Sequence, residues 1–273
     1  MYNVYTALIT PFANGKIDYK SLRNLIERQN DSDVVGVVVL GSTGECCLLD
    51  EKEKIELVKF VKKHSKKMVI AGICSPSTNQ SCKIANKYQS VGVDSLLVCP
   101  PYFVSCNQSG IVKHFEKVQN ATTLPIILYN VPHRTAIDVD VSCIEKISNV
   151  CNLWGVKECN DNPKKLDEYT STNIKLFCGN DCSIDQFTQH GCTSLISVVS
   201  NLCPNVTARG CNKALFDKVA KLSAKSNPSV IKYAMYKAQM IASPQVRLPL
   251  STPSKRTKMQ VAEIVKNNKE LLR

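Results

Sequence analysis

Short runs rich in apolar and β-branched residues alternate along the chain with longer stretches of helical periodicity. The runs fall at residues 4–10, 34–41, 67–73, 95–99, 125–130, 153–157, 174–178 and 194–198, each of a length suited to a buried strand. Between them, apolar positions recur every three or four residues. In residues 19–30, Leu22, Leu25 and Ile26 share one face, and in residues 52–64, Ile55, Val58 and Val61 do the same. Asp50 precedes the second stretch with Glu53 three residues on, the spacing of a capping box. Eight strands alternating with helices predict parallel β/α units, and eight is the number that closes a (β/α)8 TIM barrel.

The chain has 273 residues, close to the roughly 250 of such a barrel, and shows no internal repeat or low-complexity tract. After the eighth run, roughly 70 residues remain, helical in pattern and broken by Pro228, Pro244, Pro249 and Pro253. The expectation is a single domain: a barrel over about residues 1–215, then a C-terminal helical extension over about residues 216–273.

Composition adds mostly exclusions. Hydrophobic residues make up 44% and charged residues 21%, the balance of a globular chain. The longest near-continuous apolar run, residues 34–40, falls far short of the roughly 20 residues needed to span a bilayer. Residues 1–12 lack the basic and apolar regions of a signal peptide, so a cytoplasmic protein without membrane attachment is expected. The net charge of +12 raises nucleic-acid binding, but the lysines are spread over amphipathic stretches without interleaved aromatics. Solvated helix faces explain them, and no nucleic-acid partner is expected. The 14 cysteines contain no C-x-x-C pair and the four histidines no H-x-x-x-H pair, so no metal site is expected. The cysteines read as small apolar residues kept reduced, and adjacent Cys46 and Cys47 are not expected to act both as nucleophiles facing one site.

In a barrel the active site forms at the C-terminal ends of the strands. Lys157 ends the sixth run. There, burial disfavours the ammonium and frees a neutral amine, the requirement for Schiff-base chemistry on a keto acid. The competing reading is one more surface lysine. Tyr129 ends the fifth run, where a phenol can move protons or simply fill the rim. Ser42 and Thr43, between Gly41 and Gly44, offer hydroxyls and backbone N–H groups to a carboxylate, or merely form a tight turn. Arg134 follows a proline turn and suits either a bidentate carboxylate clamp or a structural salt bridge.

Taken together, T-A-L-I-T-P-F from Thr6, G-S-T-G-E from Gly41, Y-N-V-P-H-R-T from Tyr129 and G-V-K-E from Gly155 resemble the dihydrodipicolinate synthase and N-acetylneuraminate lyase family. Further matches are G-N-D at Gly179, L-I-S around Ile196, N-P at Asn227 and R-L-P at Arg247, in the family's order along nearly the whole chain. The resemblance implies the same barrel with its helical extension, assembled as a homotetramer, with a dimer as the alternative. It implies that Lys157 forms an imine with pyruvate, Tyr129 transfers protons, and Ser42 and Thr43 meet the pyruvate carboxylate and relay protons. It places Gly179 and the Ile196 carbonyl at the bound pyruvate. No cofactor is implied, because the imine itself is the electron sink. Arg134 resembles the arginine with which the synthases hold the carboxylate of aspartate semialdehyde, which selects condensation of pyruvate with that aldehyde.

Two positions depart from the family pattern. The family reads P-Y-Y after the fourth strand, its second tyrosine reaching into a neighbouring subunit's site. Here the match is Pro101, Tyr102 and Phe103, and Phe103 has no hydroxyl to pass a proton. Either Tyr102 or a water substitutes, turnover is slow, or specificity has drifted. The positions matching the lysine-inhibited members' regulatory residues are Pro76, Gln80, Glu51 and Lys54, so feedback inhibition is expected to be weak or absent. The other readings are an aldolase acting on a sialic acid or keto-deoxy sugar acid, and a barrel that binds without efficient catalysis.

Overall fold

The computed structural model describes residues 2–271. Its strands are β1 (Asn3–Ala7), β2 (Phe12–Ala13), β3 (Lys16–Ile17), β4 (Gly36–Val39), β5 (Met68–Ile73), β6 (Ser95–Val98), β7 (Ile126–Asn130), β8 (Leu153–Glu158), β9 (Leu176–Cys178) and β10 (Ser194–Ser197). Eight of them close a parallel barrel in the order β1-β10-β9-β8-β7-β6-β5-β4, with β1 also pairing with β4. The eight-stranded barrel expected from the alternation is therefore present. Strands β2 and β3 form a small antiparallel hairpin outside it.

The helices that return the chain are α1 (Tyr19–Asn30), α2 (Glu51–His64), α3 (Thr78–Val91), α4 (Gln108–Asn120), α5 (Pro132–Thr135), α6 (Val141–Val150), α7 (Pro163–Thr170), α8 (Ile184–Gln189) and α9 (Pro204–Arg209). Helices α10 (Lys213–Lys225), α11 (Ser229–Lys237) and α12 (Lys255–Asn267) follow. The predicted capping box of α2 forms: Asp50 accepts from the Glu53 N–H at 2.8 Å, and Glu53 accepts from the Asp50 N–H at 3.1 Å. Among the described residues, no helix is long and apolar enough to cross a membrane.

Alternation along the strands divides the apolar residues into two cores. One face meets the helices, with Val37, Val69, Leu96, Leu128 and Val156 buried there. The other fills the barrel with Tyr5, Val38, Ile70, Leu97, Ile127, Phe177 and Ile196. Tyr5, Trp154 and Phe177 meet edge-to-face with ring centroids 5.3–5.9 Å apart and plug the barrel interior. Such pairs each add about 0.5–1.5 kcal/mol beyond area burial.

The β7–β8 pairing is irregular. Ile126 opposes Leu153, but Ile127 opposes Gly155, so Trp154 is left without a partner. Beyond this bulge Tyr129 opposes Lys157 and Asn130 opposes Glu158. Gly155 is required there: a Cβ would lie 2.3 Å from the Lys175 carbonyl oxygen and 2.9 Å from the Phe177 ring.

Candidate active site

The register of β7 and β8 puts Tyr129 and Lys157 side by side on the inner face. Lys157 Nζ lies 4.1 Å from the centroid of the Tyr129 ring. Both side chains are buried. Burial holds the Lys157 amine below its usual pKa, and the positive charge of Arg134 acts in the same direction. Burial also pushes the Tyr129 phenol well above its usual value, so it is a protonated donor at neutral pH. Gly179 leaves room for the lysine stem: a Cβ there would sit 3.1 Å from Lys157 Cε and 2.3 Å from Cys159 Sγ.

The outward residues of the same two strands hold this pair in place. Glu158 is fully buried on the helix side and accepts from Asn130 Nδ2 at 2.9 and 3.0 Å, Tyr169 Oη at 2.9 Å and the Asn160 N–H at 2.7 Å. Lys165 Nζ lies 3.6 Å from the same carboxylate and also binds Asp138 and the Val139 carbonyl. A buried carboxylate is tolerated only with such partners. The glutamate of G-V-K-E is thus a fixed post beside the catalytic candidate, a role that its sequence position alone did not reveal.

The loop after β4 supplies the second wall. Leu40 and Glu45 adopt left-handed φ values of 60° and 59°, bending the chain sharply on either side of Ser42 and Thr43. Ser42 Oγ lies 3.5 Å from Tyr129 Oη. Thr43 Oγ1 accepts from Asn227 Nδ2 at 2.9 Å, which ties the loop to the turn before α11. Glu45 is buried, ion-paired with Lys232 of α11, and accepts from the Arg247 N–H at 2.9 Å. Arg247 in turn clasps Glu53 through both terminal nitrogens and donates to the Leu48 carbonyl. The C-terminal helical region therefore braces the Ser42–Thr43 loop from behind.

Two cavities meet over these residues. The smaller, of about 170 Å³, is lined by Ser42, Thr43, Tyr129, Arg134, Lys157 and Gly179, with Cys159, Asn180, Asp181 and Asn227. The larger, of about 290 Å³ and mostly apolar, shares Ser42, Tyr129, Arg134 and Asn227 and extends past Tyr102. Arg134, carried on α5, is exposed and makes no ion pair among the described residues, which leaves its guanidinium open to a ligand. Within the described chain no salt bridge accounts for it. Sequence reading passed over Asp181 and Asn227, although both stand in motifs that it quoted. Asp181 Oδ2 accepts from the Val198 and Val199 N–H groups, while its Oδ1 and Asn227 Oδ1 are buried without a partner among the described residues.

These contacts join Lys157, Tyr129, Ser42, Thr43, Arg134 and Gly179 in one site. Ile196 is buried in the barrel interior in the same apolar cluster as Tyr129 and lines neither cavity. Tyr102 lines the larger cavity, its hydroxyl donating to the Cys74 carbonyl at 3.4 Å. Phe103 lines neither: it is 100% exposed, at a left-handed φ of 63°.

Comparison with known proteins decides the family. The family described as "Dihydrodipicolinate synthetase family" matches residues 1–268. The chain belongs to that family. It is 34% identical over 280 residues to the 4-hydroxy-tetrahydrodipicolinate synthase of Aliarcobacter butzleri, covering 95% of each chain. It is 34% identical over 284 residues to the protein of that name from Campylobacter jejuni, covering 97% of this chain and 95% of that one. Dihydrodipicolinate synthase from Thermotoga maritima superposes with a TM-score of 0.93 at 28% identity, covering 99% of both chains. A monomeric dihydrodipicolinate synthase variant superposes with a TM-score of 0.92 at 27% identity, covering 100% of this chain and 98% of that one. These dihydrodipicolinate synthetase relatives do not favour the sialic acid or sugar acid readings.

Two adjacent cysteines also reach the site's larger cavity. Cys46 and Cys47 both line the larger cavity, their sulfurs 3.8 Å apart, because the short 3-10 turn Cys46–Leu48 after left-handed Glu45 turns both inward.

Proposed function

We propose that this chain is a 4-hydroxy-tetrahydrodipicolinate synthase, condensing pyruvate with aspartate semialdehyde in the diaminopimelate and lysine pathway. Family membership and the names of its relatives support the reaction. The observation that carries the site reading is the buried Lys157 amine beside the Tyr129 phenol, under an arginine with no carboxylate of its own.

Lys157 Nζ attacks the keto carbon of pyruvate, and loss of water leaves an iminium. Its positive nitrogen draws electrons as a methyl proton departs, giving an enamine. The enamine carbon then attacks the aldehyde carbon of aspartate semialdehyde. The acceptor's own amine finally displaces Lys157 and closes the ring. Tyr129 and Ser42 move the protons, and Thr43 with the loop N–H groups holds the pyruvate carboxylate. Arg134 holds the acceptor carboxylate through a paired hydrogen bond. The Ile196 carbonyl and Gly179 border the pyruvate. No metal or organic cofactor takes part in this scheme. In place of the family's second tyrosine, Tyr102 or a water completes the relay that Phe103 cannot serve.

The proposed setting is the cytoplasm and the proposed assembly a homotetramer, with a dimer as the alternative. Incubation with pyruvate, borohydride reduction and peptide mapping test the scheme. A pyruvate-derived mass on Lys157 is expected, and its absence from the folded protein overturns the reading.

A further inference from the structure

Four cysteines from three separate segments of the chain converge above the barrel. Cys46 and Cys47 follow β4, Cys74 follows β5 and Cys99 follows β6. These strands are consecutive in the barrel, so their C-terminal ends deliver all four side chains to one wall of the larger cavity. The Sγ–Sγ separations are 3.8 Å for Cys46–Cys47, 3.5 Å for Cys47–Cys74 and 3.5 Å for Cys74–Cys99. The sulfurs of Cys46, Cys47 and Cys74 all lie within 4.8 Å of one another, and all four cysteines are free thiols.

Four ligands at Zn–S bonds of about 2.3 Å form a tetrahedron whose sulfurs are about 3.8 Å apart. The observed separations are near that edge. A set of three sulfurs with no oxygen or imidazole nitrogen selects a soft or borderline cation and excludes Mg2+ and Ca2+, which need oxygen ligands. The charge also suits the place. Three thiolates around a dication leave one negative charge, and Arg134 lines the same cavity.

We propose that Cys46, Cys47 and Cys74 bind one thiophilic cation of the Zn2+ class in the wall of the larger cavity. Cys99, 3.5 Å from Cys74, is the nearest candidate for the fourth ligand. The site adjoins the imine chemistry, sharing a cavity with Ser42, Tyr129 and Arg134, but none of its ligands is a residue of the proposed reaction and Lys157 does not line this cavity. The inference therefore stands whether or not the proposed reaction does.

The probe is Cd2+, which takes the same ligands and reports thiolate binding by its ultraviolet charge-transfer band. The full chain, kept reduced by a phosphine, is titrated with cadmium chloride. The band is expected to saturate at one equivalent, with Zn2+ displacing it in competition. Cys47 is exposed, so Cys47→Ser should fold normally. It and Cys74→Ser should each weaken binding by at least about 10–100-fold, the loss seen when even an outer-shell partner of a metal site is removed. Cys182→Ser and Cys211→Ser, exposed and outside the cluster, should leave the titration unchanged. Thermal unfolding of each variant without metal separates lost ligation from lost folding. Absence of the band in the reduced wild-type chain, or its persistence in the Cys47→Ser/Cys74→Ser double variant, overturns the proposal.

Discussion

Lys232 and Glu45 form an ion pair in which neither side chain has any solvent exposure. Burial lowers the Lys232 pKa to about 8 even with the carboxylate beside it, so desolvation is felt strongly here. Lys232 also donates to the Gln245 carbonyl at 3.0 Å. The pair links the loop after β4 to α11. Removing one partner leaves the other charged and unpaired, at a cost of about 3–5 kcal/mol. Lys232→Ala is therefore expected to lower unfolding free energy by that amount in a denaturant titration. Lys232→Met combined with Glu45→Leu should recover much of it. A Lys232→Ala variant as stable as wild type would show that the pair does not hold the loop.

Lys157 gives a pH dependence whose sign is fixed. Burial lowers its folded pKa below the ordinary lysine value of about 10.5, so the neutral amine gains population before an exposed lysine's would. The rate of imine formation with pyruvate should rise with pH and level off above that lowered pKa. Stopped-flow trapping across pH 6 to 10 (roughly the range that separates free from buried lysines) checks it. A rate still climbing as an unperturbed lysine's would argues against a desolvated amine. Lys157→Arg keeps the charge but should form no adduct.

Tyr129→Phe removes the phenol but keeps the ring against Lys157. A loss of about 10²–10⁴-fold in kcat is expected, the usual contribution of a positioned acid–base group. Phe103→Tyr is predicted to raise kcat, because it returns a hydroxyl at the position where the family carries one. Equal kcat for Phe103→Tyr and wild type would mean that Tyr102 or a water already serves the relay as well as a tyrosine at that position would.

Arg134 makes no ion pair with the rest of the described chain, so its loss should be felt by a ligand and hardly by the fold. Arg134→Ala is expected to raise KM for aspartate semialdehyde. A charged hydrogen-bond pair contributes about 1.5–3 kcal/mol, or roughly 10–150-fold. Borohydride trapping of pyruvate should persist. A variant that loses pyruvate trapping equally would place Arg134 on the first substrate instead.

Free lysine should not inhibit at sub-millimolar concentration. Pro76 offers no side-chain hydrogen bond, and Gln80 already donates to Glu51, which also pairs with Lys87 at 3.6 Å. Steady-state assays with added lysine decide this, and clear inhibition would reveal a different lysine contact.

The barrel was readable because its physics is local. Strand runs and helical faces repeat within a few residues, and the Asp50–Glu53 cap lies on its helix as read. Boundaries were less so. Residues 8–10 leave the sheet yet Leu8, Ile9 and Thr10 stay buried, so an apolar run does not distinguish a strand from a buried loop. In α2, Leu57 is buried and Ile55 is only partly so, a small rotation of the predicted face. The β2–β3 hairpin carried a readable signal in Asn14-Gly15, both at positive φ, that went unused. The thiol cluster and the Asn227–Thr43 bond lay beyond reach for another reason. Each joins residues whose proximity exists only after the barrel closes.

The unpaired residue Trp154 carries a consequence for the chain's tolerance to length change. Were Trp154 paired with Ile127 in regular register, Lys157 would stand opposite Asn130 and point toward the helices, while Val156 would take the place beside Tyr129. The amine's access to the cavity is thus a matter of odd and even. Deleting Trp154 would remove the bulge and leave Lys157 beside Tyr129, but inserting one residue between Gly155 and Val156 would reverse the phase of the strand end. Such an insertion would hide the Lys157 amine behind the barrel wall and turn the Glu158 carboxylate inward, without altering the identity of a single residue of the candidate site.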